Sequence, residues 1–142
     1  MTVALAHQAS SAIGRVALRE AAREARLRAT QLAVLHVVDT VDLDLVQAHR
    51  AGLAEEIERV LAEYRMDEVP WRLDLVAGAN EDIAGAVLGF VASVRADLLV
   101  IGARRRSPVG KFLLGSVTQT IILDADVPVL VAKEDRSGAG ER

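Results

Sequence analysis

Short aliphatic runs alternate along this chain with stretches of helical period, and this alternation restricts the possible folds more than any other feature. Continuous apolar runs are typical of strands buried on both faces. The predicted strands are Val3–Ala6, Leu32–Val38, Trp71–Leu75, Leu98–Ile101 and Val129–Ala132. The predicted helices are Ala12–Ala29, a helix with its apolar stripe over Leu53–Tyr64, Ile83–Val94 and Ser116–Ala125. This order predicts an α/β fold: an open parallel sheet with helices on both faces, joined by right-handed crossovers.

Two of the predicted strands carry the marks of sheet edges. Apolar and charged residues alternate over Trp71–Leu75, which indicates a strand with one partly wet face. Pro128 opens the last strand, and a proline is best tolerated at an edge because it cannot donate to the ladder. Ser10 or Ser11 is expected to cap the first helix, and Asn80 the third.

Length and composition fit one domain with an aliphatic core. The chain has 142 residues, of which only 3% are aromatic. We expect a domain over residues 1–134 and a flexible tail over residues 135–142. No cysteine is present, which excludes disulfides, thiolate metal sites and cysteine nucleophiles. The histidines have no spacing that indicates a shared metal, and no base–nucleophile pair for catalysis is visible.

Charge and hydropathy narrow the expected partners and location. The net charge of −3 argues against general nucleic-acid binding, which usually requires a basic surface. No apolar run reaches the ~18 residues that a membrane span needs. The apolar N-terminal stretch follows no basic region of the kind found in signal peptides. We therefore expect a cytoplasmic protein.

The segment from Gly102 to Ser116 concentrates the positive charge. Four basic residues lie in it without an acid: Arg104, Arg105, Arg106 and Lys111. It joins a buried strand to a helix, and a helix N-terminus attracts anions. Gly115 would let a phosphate approach the backbone, and Ser116 could add its hydroxyl. The same residues also fit plain helix capping, with Ser116 and Gln119 as a capping box, so both interpretations stay open.

Several segments resemble the universal stress protein family, and the resemblance covers nearly the whole chain. In the C-terminal half they are Ala96–Gly102, Leu113–Val117 and Val127–Val131; weaker similarity occurs at Leu35–Asp39 and at Val76 with Gly78. The family implies five parallel strands in the order 3-2-1-4-5, the adenine nucleotide alpha hydrolase-like fold. It also implies a homodimer formed through the C-terminal edge strand, Val127–Val131.

The ATP-binding branch of that family carries a Gly-x2-Gly-x9-Gly-Ser/Thr pattern. By resemblance, the cofactor-binding residues would be Ala6, His7, Val37, Ile101, Gly102, Arg105, Gly115, Ser116 and Val117. The expected ligand is ATP or a related adenine nucleotide, with Mg²⁺ where ATP is bound. Gly102, Gly115 and Ser116 match the pattern, but Arg105 replaces its middle glycine. His7, at the end of the first strand, replaces an aspartate, and the turn after it is longer than usual in the family.

These departures leave two main functions open. One is a dimeric regulatory protein that binds an adenine nucleotide in the crevice between strands 1 and 4. The other is a member of the family that binds no nucleotide, has its crevice blocked by Arg105, and acts through a protein partner. A weak ATP hydrolase is a third, less favoured hypothesis. We expect His7 to be half-exposed, His36 to be a buried structural residue with its hydrogen bonds satisfied, and His49 to be exposed.

Overall fold

The computed structural model describes residues 1–38, 42–77, 82–103 and 115–134. Strands and helices alternate strictly through these ranges. The strands are β1 (Thr2–Ala6), β2 (Gln31–Val38), β3 (Trp71–Ala77), β4 (Leu98–Ala103) and β5 (Val129–Lys133). The helices are α1 (Ala12–Leu27), α2 (Leu43–Glu63), α3 (Ile83–Ser93) and α4 (Ser116–Asp124). All nine predicted elements are confirmed.

The five strands form one parallel sheet in the order β3-β2-β1-β4-β5, as predicted. β3 and β5 lie at the edges, so the assignments from Trp71–Leu75 and Pro128 are confirmed. Pro128 precedes β5, where it needs no ladder N–H, while its carbonyl accepts from Leu99 N at 3.0 Å.

Aliphatic side chains from alternate strand positions form a core layer on each face of the sheet. In β1, Val3 and Leu5 belong to the layer covered by α1 and α2, whereas Ala4 belongs to the layer covered by α3 and α4. Successive side chains in a strand point to opposite faces, which produces this division. The same alternation decides which residues at the strand ends can line a crevice.

The helix ends agree with the sequence in one case and correct it in another. Ser11 caps α1, and its side chain accepts a hydrogen bond from Gly14 N at 3.0 Å. The assignment of Asn80 as the cap of α3 is wrong: Asp82 is the N-cap, and its carboxylate accepts from Gly85 N at 2.8 Å. Asn80, Arg105 and the expected tail, residues 135–142, lie outside the described residues.

Candidate functional site

A cavity of about 380 Å³ opens at the carboxyl edge of the sheet, beside the junction of β1 and β4. Strand order reverses at this junction, and ligands of open α/β sheets bind at such points. The cavity is lined by Ala6, His7, Gln8, Leu35, His36, Val37, Ile83, Val87, Ile101, Gly102, Val117, Thr118 and Ile121. Five of the predicted site residues thus come together with Val117, which belongs to the next helix.

The walls of the cavity are mainly aliphatic because it lies on the α3/α4 face of the sheet. Leu35, Val37 and Ile101 come from strand positions that share the α3/α4 core layer. Ile83 and Val117 belong to the first turns of α3 and α4, and each remains 38% exposed. A flat apolar group can therefore be enclosed between the strand ends and the two helices, with one side open to solvent.

Gly102 lines the cavity, but its lack of a side chain serves the opposite face of the sheet. A Cβ at this position would lie 2.7 Å from Ile13 Cγ1, in the first turn of α1. Ile13 is only 2% exposed, so its side chain is held within the core and does not face solvent. Close packing of α1 against β4 explains this glycine without any ligand.

The N-terminus of α4 forms the other end of the site. Gly115 is its N-cap and provides no side-chain hydrogen bond, so the capping-box interpretation of Ser116 and Gln119 is wrong. Intrahelical bonding starts with Gln119 N donating to Gly115 O at 3.0 Å. The N–H groups of residues 116–118 precede that bond and therefore have no acceptor within the helix. Their positive dipole end is favourable for an anion.

Gly115 itself is under no conformational demand. Its φ of −63° suits any residue, and no atom of the described residues lies within 4 Å of a Cβ built there. In contrast to Gly102, no packing reason for this glycine is found within the described ranges.

His7 is not half-exposed as expected, because its ring lies on the α1/α2 face and is fully buried. Its side chain is 0% exposed, and Nε2 lies 3.6 Å from Glu56 Oε2 in α2. Neither ring nitrogen has a hydrogen-bond partner among the described residues. Burial lowers the pKa of His7 below its ordinary value, although the Glu56 carboxylate partly offsets this effect. The imidazole is therefore neutral at pH 7, and its nitrogens are closed off from the cavity.

His36 and His49 are placed largely as predicted. His36 Nδ1 lies 3.3 Å from the carbonyl oxygen of His7, which gives its ring a hydrogen bond. It is half-buried rather than buried, and it borders the cavity. His49 is exposed on α2.

Sequence reasoning missed several residues that line the cavity. The helical spacing of Ile83 and Val87 predicts only a buried stripe, and nothing in the sequence singles out Ile121, because the position of all three at the carboxyl edge depends on the fold. Gln8 was overlooked in favour of its neighbour His7. Counting on from Ala6 would have found it, since residues 6 and 8 share one face if the alternation of β1 continues.

No three His, Cys, Asp or Glu side chains come together as metal ligands within the described ranges. No helix in the described part of the chain is long and apolar enough to cross a membrane.

Comparison with known proteins adds a family to this geometry. Residues 2–133 match the sequence model of the universal stress protein family. A universal stress protein of Mycolicibacterium smegmatis is 38% identical over 120 residues, which are 84% of this chain and 88% of that protein.

Two solved structures from Archaeoglobus fulgidus are similar over most of this chain. One universal stress protein superposes with a TM-score of 0.73 at 31% identity, covering 94% of this chain and 98% of its own. A universal stress protein in complex with dAMP superposes with a TM-score of 0.68 at 26% identity, with the same coverage.

Proposed function

Since the chain belongs to the universal stress protein family, we propose that it binds ATP or a related adenine nucleotide in the crevice between β1 and β4. One observation carries the proposal: the apolar cavity borders the N-terminus of α4, where the N-cap residue Gly115 provides no side-chain hydrogen bond. These features match the two halves of a nucleotide, an apolar base and an anionic phosphate chain. The related protein in complex with dAMP supports the same assignment.

The base would occupy the aliphatic part of the cavity. Its volume of about 380 Å³ falls within the range of ~300–1,000 Å³ found for small-molecule sites. Val37 and Ile101 from the sheet, with Ile83 and Val117 from the helices, would contact the faces of the ring. The contact is apolar, so removal of the base from water contributes to its binding.

The phosphates would lie against the first turn of α4. The N–H groups of Ser116, Val117 and Thr118 have no acceptor within the helix, and no acidic residue occupies that turn. No atom of the described residues lies within 4 Å of a Cβ built at Gly115, the position where a side chain would approach the phosphates. Mg²⁺ would arrive with ATP, held chiefly by phosphate oxygens and water, as is usual for this ion.

A pair of variants at Gly115 tests the phosphate site. Asp and Asn are equally good N-caps, so Gly115→Asp and Gly115→Asn should preserve α4 to a similar degree. Only the aspartate brings a negative charge to the phosphates. We expect Gly115→Asp to bind ATP at least ~10-fold more weakly than Gly115→Asn, a difference of about 1.4 kcal/mol.

Calorimetric titration with ATP and Mg²⁺ would measure both dissociation constants, beside wild type and beside a titration with magnesium alone. Circular dichroism would verify that the two variants fold alike. Equal affinities of Gly115→Asp and Gly115→Asn for ATP would place the phosphates elsewhere. No detectable binding by wild type would refute the proposed function. The alternative of a crevice blocked by Arg105 has no comparable support.

We also propose that the protein is cytoplasmic and forms a homodimer whose interface includes β5. Among the described strands β5 pairs with β4 alone, and Val129, Leu130 and Val131 are only half-buried in one chain. A charge on an edge strand opposes strand pairing. Val131→Lys should therefore halve the mass measured by light scattering, and an unchanged mass would contradict a β5 interface.

A further inference from the structure

A carboxylate of α2 reaches across to the loop that joins β1 to α1, residues 7–11, here called the β1–α1 loop. Glu56 Oε2 accepts a hydrogen bond from Ser10 N at 3.0 Å. The Glu56 side chain is only 13% exposed. A largely buried carboxylate needs partners, and here one of them is the backbone of this loop.

The β1–α1 loop has a conformation that benefits from such a partner. Ser10 has a φ of 53°, in the left-handed region that is unfavourable for a residue with a Cβ. On the side of α1, Ser11 Oγ donates to Gln8 O at 3.2 Å. A Cβ at Gly14 would lie 1.7 Å from that same oxygen, so the loop is folded tightly onto the first turn of α1. On the side of α2, the hydrogen bond from Ser10 N to Glu56 holds the backbone of this loop in place.

The same loop forms one wall of the crevice. Gln8 lines the cavity, and the carbonyl of His7 meets His36 Nδ1, which also borders it. Only Ala9 separates Gln8 from Ser10. A displacement of the Ser10 backbone should therefore also shift Gln8, which lines the cavity.

His7 lies beside Glu56 and reports on it. Among the described residues, the titratable groups that act on the His7 ring are Glu56 from α2 and His36 from β2, whose ring centroid is 6.3 Å away. Burial lowers the pKa of His7, and the negative charge of Glu56 acts in the opposite direction. Loss of that charge should lower this pKa further.

We propose that Glu56 is a positioning residue for the nucleotide crevice, which it supports by holding Ser10 and with it the wall formed at Gln8. The inference rests on the proposed function, because its ligand is an adenine nucleotide. Glu56 touches no ligand in this account. It acts through the backbone of the β1–α1 loop.

Three variants separate positioning from general stability. Glu56→Ala removes the acceptor for Ser10 N. Glu56→Gln keeps an oxygen acceptor of the same shape but removes the charge. Glu63→Ala is the control, because Glu63 lies two turns further along α2 and its carboxylate is paired with Arg15 of α1.

Two measurements are made on each variant: the dissociation constant for ATP with Mg²⁺ by calorimetry, and the exchange rate of the Ser10 amide by NMR. We expect Glu56→Ala to weaken binding ~5–10-fold and to speed Ser10 exchange ~10-fold, as loss of one charge-assisted hydrogen bond allows. Glu56→Gln should restore affinity to within ~3-fold of wild type while lowering the pKa of His7 read from its imidazole nitrogens. Glu63→Ala should change none of these values.

Two results would overturn the proposal. One is a Glu56→Ala variant with wild-type affinity and wild-type Ser10 exchange. The other is an equal loss of affinity in Glu56→Ala and Glu63→Ala, since that would indicate only a general loss of stability. If wild type binds no adenine nucleotide, the proposed function fails, and Ser10 exchange alone then decides. Faster exchange in Glu56→Ala but not in Glu63→Ala would support the hold on the loop, and unchanged exchange would refute it.

Discussion

A substitution at Gly102 tests whether this glycine of the family pattern is needed for the packing of α1 against β4 or for ligand binding. In Gly102→Ala, the new Cβ would lie 2.7 Å from Ile13 Cγ1, whereas carbon atoms pack best at about 3.5–4.0 Å. The relief requires a shift of roughly 1 Å in a side chain that is buried. Overpacking of this kind costs about 1–3 kcal/mol. Loss of the glycine's unfolded-state entropy returns about 0.4–1 kcal/mol, so the middles of the two ranges give a net destabilisation of about 1.3 kcal/mol.

Urea unfolding would measure this difference. With a slope of about 2 kcal/mol per molar urea, the unfolding midpoint of Gly102→Ala should fall by ~0.5–1 M. Because the new methyl group points towards α1 and away from the cavity, the affinity for ATP should change by less than ~3-fold.

A double-mutant cycle identifies Ile13 as the cause. Ile13→Ala alone creates a cavity and should cost about 2–5 kcal/mol. In the double variant the methyl group added by Gly102→Ala partly occupies that space, so the combined loss should be at least ~1 kcal/mol smaller than the sum of the single losses. Strict additivity would remove Ile13 from the explanation. If Gly102→Ala had wild-type stability but no longer bound ATP, the packing explanation would be refuted, and the glycine would be needed for ligand binding.

Three further predictions concern stability. Gly52→Ala should raise the free energy of unfolding by about 0.5–1 kcal/mol, because no described atom lies within 4 Å of its Cβ in an exposed part of α2; a lower urea midpoint would contradict this. Ser11→Ala should lower the free energy of unfolding by about 1 kcal/mol, because the hydrogen bond from Gly14 N to the cap is lost. Ser11→Thr should retain most of the stability that the cap provides, and equal urea midpoints for the two variants would rule out a capping role. Burial lowers the pKa of His7 in the folded protein, so the unfolded chain takes up a proton first as the pH falls below about 6.5. The stability that comes from burying a neutral His7 is therefore complete above that pH. It declines by at most about 1.4 kcal/mol per pH unit below it. His7→Leu should flatten this part of the curve in urea titrations between pH 7.5 and 5.5, and an unchanged slope would assign the decline to other groups.

The succession of strands and helices along the chain was predictable because the strand and helix patterns barely overlap. Continuous apolar runs such as Leu98–Ile101 can be satisfied only in a strand covered on both faces. Pro128 and the alternation over Trp71–Leu75 then identified the edges. The order 3-2-1-4-5 itself came from the family resemblance, since alternation alone fixes neither which strand is central nor where the order reverses.

The candidate site was only partly predictable, because its composition depends on which face of the sheet each residue occupies. Ile101 and Val37, which the family resemblance named as site residues, both line the cavity. His7 was expected at the surface, but a tertiary contact with α2 buries it. The contact between Glu56 and Ser10 joins residues 46 positions apart, and no local pattern in the sequence indicates it. The cap of α3 was misplaced because Asn80 and Asp82 are both good capping residues only two positions apart.

At the carboxyl edge of this sheet, residues on one face line the cavity and residues on the other face pack against α1 and α2. Neighbouring residues in one strand point to opposite faces and therefore have different roles. Ile101 faces the cavity, while the missing side chain of Gly102 admits Ile13 on the other face. At the end of β1, Ala6 lines the cavity and the ring of His7 is buried beside Glu56. A change on the α1/α2 face should therefore act first on stability, and the proposal for Glu56 lets it affect the cavity through the β1–α1 loop. A change on the α3/α4 face should alter the cavity directly. A family motif written as one stretch of sequence therefore includes both residues that line the cavity and residues that pack against α1. Whether a substitution in the motif changes the cavity or the stability of the fold should depend on which face of the sheet the residue occupies.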